Sequence, residues 1–170
     1  MASETICCED RRVTRTPKER PGDQLDDVAK AIIKLLQHDG RRSYAAIGEE
    51  VGLSEAAVRQ RVRRLVQTGV MQVVAVTDPM QLGFARQAMI GVTVRGPIDA
   101  VADALAELAA VDYVVVTTGS YDLLVEVVAE SDEQLLEIIS HGVRAIPGVV
   151  ATETFTYLHL RKQTYAWGVR

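Results

Sequence analysis

Residues 43–71 constrain the fold more than any other stretch: Ser-Tyr-Ala-Ala-Ile-Gly-Glu-Glu-Val-Gly-Leu-Ser-Glu-Ala-Ala-Val-Arg-Gln-Arg-Val-Arg-Arg-Leu-Val-Gln-Thr-Gly-Val-Met. Ser43 offers a side-chain acceptor ahead of a short apolar period of Ala46, Ile47 and Val51, so a helix is expected to open there. Gly52 has the conformational freedom to stop that helix in a tight turn, and Leu53 puts an apolar side chain in the turn's middle. Ser54 is a second N-cap, for a helix expected to run to about Thr68 and to be closed by Gly69. Two amphipathic helices around a Gly-Leu-Ser turn predict a pair crossing at about 90–120°.

At about 100° per residue, Val58, Val62 and Leu65 share one face of the second helix and tie it to a core. Gln60 and Arg63 then point away from that core with Ala56, while Arg59 and Arg64 flank the outer face on opposite sides. The face is short-chained at Glu55 and Ala56 and cationic further on. That profile suits a helix lying in a DNA major groove, with bases near its start and phosphates along its length. Arg61 sits nearer the inward side, where bracing the helix or reaching a flanking phosphate competes with reading a base. The candidate DNA contacts are therefore Ser43, Ser54, Glu55, Ala56, Arg59, Gln60, Arg61, Arg63 and Arg64. On charge alone, a solvated face pairing these arginines with Glu49, Glu50 and Glu55 is the alternative; the tandem-helix spacing favours DNA.

The formal charge of -4 over 170 residues is unevenly spread. Residues 1–24 carry five basic and five acidic groups, residues 25–77 eight and six, and residues 78–170 six and twelve. A slightly basic segment followed by an acidic one assigns the DNA-facing end. Residues 1–24, broken by Pro17, Pro21 and Gly22, show no period that buries a face and read as a mobile polar tail. Adjacent Cys7 and Cys8 supply neither a metal cage nor a crosslinked scaffold, which fits reduced thiols. With no run of about 20 apolar residues and no apolar core in the leader, a cytoplasmic location is expected.

Ahead of the tandem helices, Val28, Ile32, Leu35 and Leu36 recur at helical spacing behind Asp26 and Asp27, and the run stops at Asp39-Gly40, giving a first helix. Val70 to Val76, β-branched and apolar, reads as a linking strand. Beyond it come a strand (88–94), a helix (98–108), two strands (113–118 and 123–128), a helix (132–145) and a strand (151–160). This β-α-β-β-α-β order is the split ferredoxin-like unit. Its helices carry inward stripes of Val101, Leu105 and Leu108 and of Leu135, Leu136, Ile139 and Val143. Both should cover one face of an antiparallel sheet, and the uncovered face argues for a homodimer. The fold class is α+β: tail 1–24, tri-helical helix-turn-helix head 25–69, linking strand and hinge 70–84, ferredoxin-like domain 85–165, and C-terminal tail 166–170.

From Leu25 to about Tyr165 the chain resembles the Lrp/AsnC family of feast/famine transcription regulators. The matching stretches are Leu-Asp-Asp-Val-Ala-Lys-Ala-Ile-Ile-Lys-Leu-Leu at 25–36, Ile-Gly-Glu-Glu-Val-Gly-Leu-Ser at 47–54, Arg-Val-Arg-Arg-Leu at 61–65 and Gly-Ser-Tyr-Asp-Leu at 119–123. Pro147-Gly148-Val149 with Thr152-Glu153-Thr154 is a further match. Val66-Gln67 and Met71 depart from the family's usual acidic residue and isoleucine. The resemblance implies a DNA-binding head on a dimerising, effector-responsive tail, with dimers assembling into tetramers, octamers or larger discs. Amino acids are the effectors it implies, bound between dimers by Thr118, Gly119, Tyr121, Asp122, Thr152 and Thr154. Chemically, an amino acid needs amide donors for its carboxylate and an anion for its ammonium, which a glycine turn and Asp122 offer. A plain β-turn capped by Asp122 is the alternative.

No catalytic constellation, metal-ligand spacing or phosphate loop is evident, and no cofactor is expected. His38 is expected at the end of the first helix, His141 on the last helix and His159 on a strand. Siroheme decarboxylases, which also resemble Lrp/AsnC proteins, are the enzyme alternative, but the arginines here concentrate on the DNA-facing helix. A metabolite-binding module without DNA activity is the other.

Overall fold

The computed structural model describes residues 25–169. The polar leader 1–24, with Cys7 and Cys8, and Arg170 lie outside the described residues. The chain divides into two compact units, the first holding described residues 25–75 and 164–169 and the second Val76–Gln163.

In the first unit, α1 (Asp27–His38), α2 (Tyr44–Val51) and α3 (Glu55–Gln67) each begin where a short polar side chain caps them. Asp26 accepts from the Ala29 amide at 2.7 Å, Ser43 from Ala46 at 3.2 Å and Ser54 from Ala57 at 3.3 Å. Each satisfies one of the orphan amide donors of a first turn. Ile32, Leu36, Ile47, Val58 and Val62 form the core between the helices, and Ala29, Ile33 and Leu65 a second cluster beside it. Gly52 closes α2 in the left-handed region, at φ 70°. Gly48 matters as much: a Cβ there would lie 2.4 Å from the Leu53 carbonyl oxygen, so only glycine lets the turn fold back against α2.

The linking strand expected at 70–76 does not form: no ladder pairs these residues, and Val73, Val74 and Val76 are exposed. β-branched residues favour extended backbone, but a strand needs a neighbour for its amides and carbonyls, and the single chain offers none here.

In the second unit a short 3₁₀ turn (Pro79–Leu82) leads into β1 (Arg86–Val94), α4 (Ile98–Ala106), β2 (Val111–Val116), β3 (Leu123–Ala129), α5 (Asp132–Glu137) and β4 (Val149–Thr156). All three strand pairings are antiparallel and the order across the sheet is β2-β3-β1-β4, the ferredoxin-like arrangement. Ala88, Ile90 and Val92 of β1 and Leu123, Val125, Val127 and Ala129 of β3 alternate onto one buried face, packed with Val101, Leu105, Leu135 and Val143 of the helical segments.

Three local expectations change. The last helix is α-helical only to Glu137 and continues as a π-helical turn over Ile138–Val143, which holds His141. Leu136, assigned to the inward stripe, is 64% exposed, because its neighbour Leu135 takes the core position and consecutive helical residues diverge by about 100°. β4 ends at Thr156 rather than Leu160, since β1 begins at Arg86 and the last bond runs from the Tyr157 amide to the Gln87 carbonyl. His159 is consequently beyond the strand.

Candidate nucleic-acid interface and ligand loop

α3 carries its arginines in two different states. Arg61 donates to both carboxylate oxygens of Asp26, at 2.6 and 2.9 Å, bracing α3 to the start of α1. That hydrogen bond, then the Ala29 amide, holds the Asp26 carboxyl below its usual range. Of the two roles open to Arg61, the brace is the one the structure displays. Arg59 pairs with Glu55 one turn earlier at 2.5 Å and lies over the Tyr44 ring, 5.3 Å from its centroid. Among the described residues Arg63 and Arg64 have no ion-pair partner, and both are exposed, as are Ala56 and Gln60. Glu50 is taken by Arg42, so the acidic residues of α2 do not neutralise α3. A depression of about 420 Å³ lined by Tyr44, Arg59, Arg63 and Gln67 runs beside the helix.

The candidate ligand loop joins β2 to β3. Its base is closed by the Thr117 amide donating to the Asp122 carbonyl at 2.9 Å, and the Thr117 hydroxyl donates to the Tyr121 carbonyl. Asp122 is half-buried and doubly tied to β1: its amide donates to the Val92 carbonyl at 3.0 Å, and its carboxylate Oδ2 accepts from the Val94 amide at 2.7 Å. The Tyr121 ring lies flat over Gly91, where a Cβ would come within 2.6 Å of it. Tyr121 also meets Phe155 edge-on, at 6.1 Å and 71°, and its hydroxyl donates to Glu153. Thr118 and Gly119 are exposed at the loop tip.

Within one chain the six residues nominated for a ligand between dimers do not fall on one face of the sheet. Residues directly opposite in an antiparallel pair point to the same face. Thr152 and Thr154 stand opposite Val92 and Ile90, on the helix-covered face, and the Thr152 hydroxyl accepts from Arg144 Nε at 2.8 Å. Tyr121 occupies the other face with Glu153 and Phe155, the β4 residues opposite Gly91 and Met89. The alternation that separates Glu153 from its flanking threonines is visible in sequence, but the face it selects depends on the register. The same open face carries Gln87, whose amide donates to Glu126 at 2.9 Å, and Tyr157, raised to about 12 by burial and a hydrogen bond to Glu126.

Residues 25–66 match the AsnC-type helix-turn-helix domain, and residues 84–170 match the PF0864 C-terminal dimeric alpha+beta barrel domain. The HTH-type transcriptional regulator FL11 of Pyrococcus horikoshii is 36% identical, over 82% of this chain and 93% of the relative. The leucine response regulatory protein LrpA of Mycobacterium tuberculosis superposes with a TM-score of 0.74 at 27% identity, covering 82% of this chain and 96% of that one. A transcriptional regulator of Neisseria meningitidis, NMB0573, solved as an L-Met complex, has the same fold: TM-score 0.71, 24% identity, 84% of this chain and 95% of that one. With both of its domains matched in order and curated relatives that are HTH-type regulators, the chain belongs to the Lrp/AsnC family of helix-turn-helix transcription regulators.

Proposed function

We propose that α3 enters the major groove of duplex DNA, with Ala56 and Gln60 toward base edges near its start and Arg59, Arg63 and Arg64 on phosphates or guanine edges. Ser43, Ser54 and Glu55 lie at the helix starts that approach the backbone, and Arg61 serves as the brace. The observation that carries this is the pair of exposed arginines, Arg63 and Arg64, without an ion-pair partner among the described residues. Unpaired guanidinium groups on a helix capped by Ser54 and braced through Arg61 are ready to bind phosphate at little reorganisation cost.

Control falls to an amino acid at the 117–122 loop. The exposed Thr118-Gly119 tip offers donors for a carboxylate, and Asp122, with Oδ2 on Val94, has a second oxygen for an ammonium group. The L-Met complex of the Neisseria protein supports this ligand class. From β4, Glu153 shares Tyr121's face and accepts from its hydroxyl, so it takes the place of Thr152 and Thr154 beside the ligand. The open sheet face, with exposed Tyr113 and Phe155, is where a second copy packs, and dimers associate further around the loop. Ligand alters DNA affinity to the extent that it favours one assembly over another. Among the described residues no helix is long and apolar enough to cross a membrane, and a regulator of this kind works in the cytoplasm.

The test is anisotropy of a labelled duplex from upstream of the protein's own coding region, titrated with and without single amino acids. Binding that weakens in Arg63→Ala supports the α3 assignment; full-affinity binding by that variant removes it.

A further inference from the structure

The end of the chain is not a tail of the sheet unit. Residues 164–169 cluster with the helical unit, and Val169 packs against Ala29, Ile33 and Leu65, with Leu25, Val70 and Met71 around it. Gly168, just before Val169, takes a left-handed φ of 74°, open to glycine. Leu65 directly follows Arg64 on α3, so this anchor sits on the helix that carries the unpaired arginines.

What the anchor holds is unlike the segment before it. Asp78 to Glu153 contains three basic and twelve acidic residues, whereas residues 154–170 contain Arg161, Lys162 and Arg170 and no acid. Residues 157–169 form no helix or strand. Trp167 is 84% exposed, an unusual position for the chain's single tryptophan. An acid-free, basic, aromatic segment has the charge to meet a polyanion, and its far end is fixed within the DNA-binding unit.

We infer that residues 161–169 are a second DNA-contacting element, an arm in which Arg161 and Lys162 neutralise phosphates of the duplex and Trp167 lies against it, anchored by Val169. The contact is to the backbone and independent of sequence. It rests on the reading of the helical unit as the one that meets DNA, not on which α3 side chains make the contact.

Trp167 provides the readout, since its emission reports on the arm alone. The full chain is titrated with the upstream duplex and with an unrelated duplex across a salt series, following emission and duplex anisotropy. The R161Q/K162Q double variant leaves the Val169 anchor intact. The arm predicts a change in Trp167 emission on both duplexes and, in the double variant, a log-affinity against log-salt slope shallower by about 2 for each protomer on the duplex. An unchanged slope and silent emission, in a protein whose binding Arg63→Ala still weakens, overturns the arm and leaves α3 standing. If Arg63→Ala binds normally while the double variant loses slope, the arm stands and the α3 assignment fails. A double variant that changes only the molar mass in light scattering makes the segment a contact between copies and also overturns the arm.

Discussion

α3 and the 117–122 loop are both polar, yet they use their polar groups in opposite ways. On α3 the caps and the Arg61 brace consume what is needed to hold the helix, and Arg63 and Arg64 are left over. In the loop Asp122 is already engaged with Val94 and Tyr121 with Glu153, the Thr117 hydroxyl holds the Tyr121 carbonyl, and the Thr118-Gly119 tip is exposed. The helix therefore presents surplus charge on a rigid support, which suits a large polyanion, whereas the loop is a prebuilt frame with a small exposed tip, which suits a small ligand.

This contrast is broken most strongly by removing the surplus. Arg63→Ala and Arg64→Ala should each weaken duplex binding by about 1–3 kcal/mol, with thermal stability nearly unchanged, because neither side chain makes an ion pair among the described residues and Arg64 acts on Asp26 only at a distance. Anisotropy titrations beside melting curves check both halves of that statement. Asp122 should behave the other way. Asp122→Ala leaves the half-buried Val94 amide without its acceptor and should cost about 1–3 kcal/mol of stability in the second unit as well as the amino-acid response. Asp122→Asn retains an acceptor for Val94 but not the charge, so urea unfolding should show near-normal stability while the response is still lost. A normal response in Asp122→Asn would leave the carboxylate a structural strap only.

Smaller effects sharpen the support side. Ser54→Ala removes the cap of α3 and should destabilise the head by about 1 kcal/mol, with DNA affinity following only as far as the helix frays. The smallest effect is expected at the brace. Asp26 has a depressed carboxyl pKa in the folded state, so its contribution is present above the ordinary carboxylate range and disappears as pH falls through the lowered value. The stability difference between wild type and Asp26→Asn, followed by denaturant melts against pH, should be constant near neutrality and vanish in acid.

The head was legible because its signals are local. Ser43, Ser54 and Gly52 act within a few residues of themselves, and the 3.6-residue period alone separated Val58, Val62 and Leu65 from the arginines. The inward lean of Arg61 was local geometry too, but its partner Asp26 lies 35 residues away. The element order of the second unit was equally readable. What stayed hidden depends on partners remote in sequence: Gly48 against Leu53, Gly91 beneath Tyr121, and the register that puts Thr152 and Thr154 on the face opposite Tyr121. The missing linking strand has the same cause, since Val70–Val76 has strand propensity without a strand beside it. Val169 gave no periodic signal at all, being one residue in a segment without regular structure.

The central claim is that DNA binding and ligand response reside in different residues. The direct test is one anisotropy experiment on the upstream duplex with wild type, Arg63→Ala and Asp122→Asn, each with and without the amino acid that most changes wild-type binding, and with binding of that amino acid measured by calorimetry. Arg63→Ala should lose duplex affinity and still bind the amino acid, and Asp122→Asn should bind the duplex and ignore the amino acid. A folded variant that loses both activities together would contradict the account.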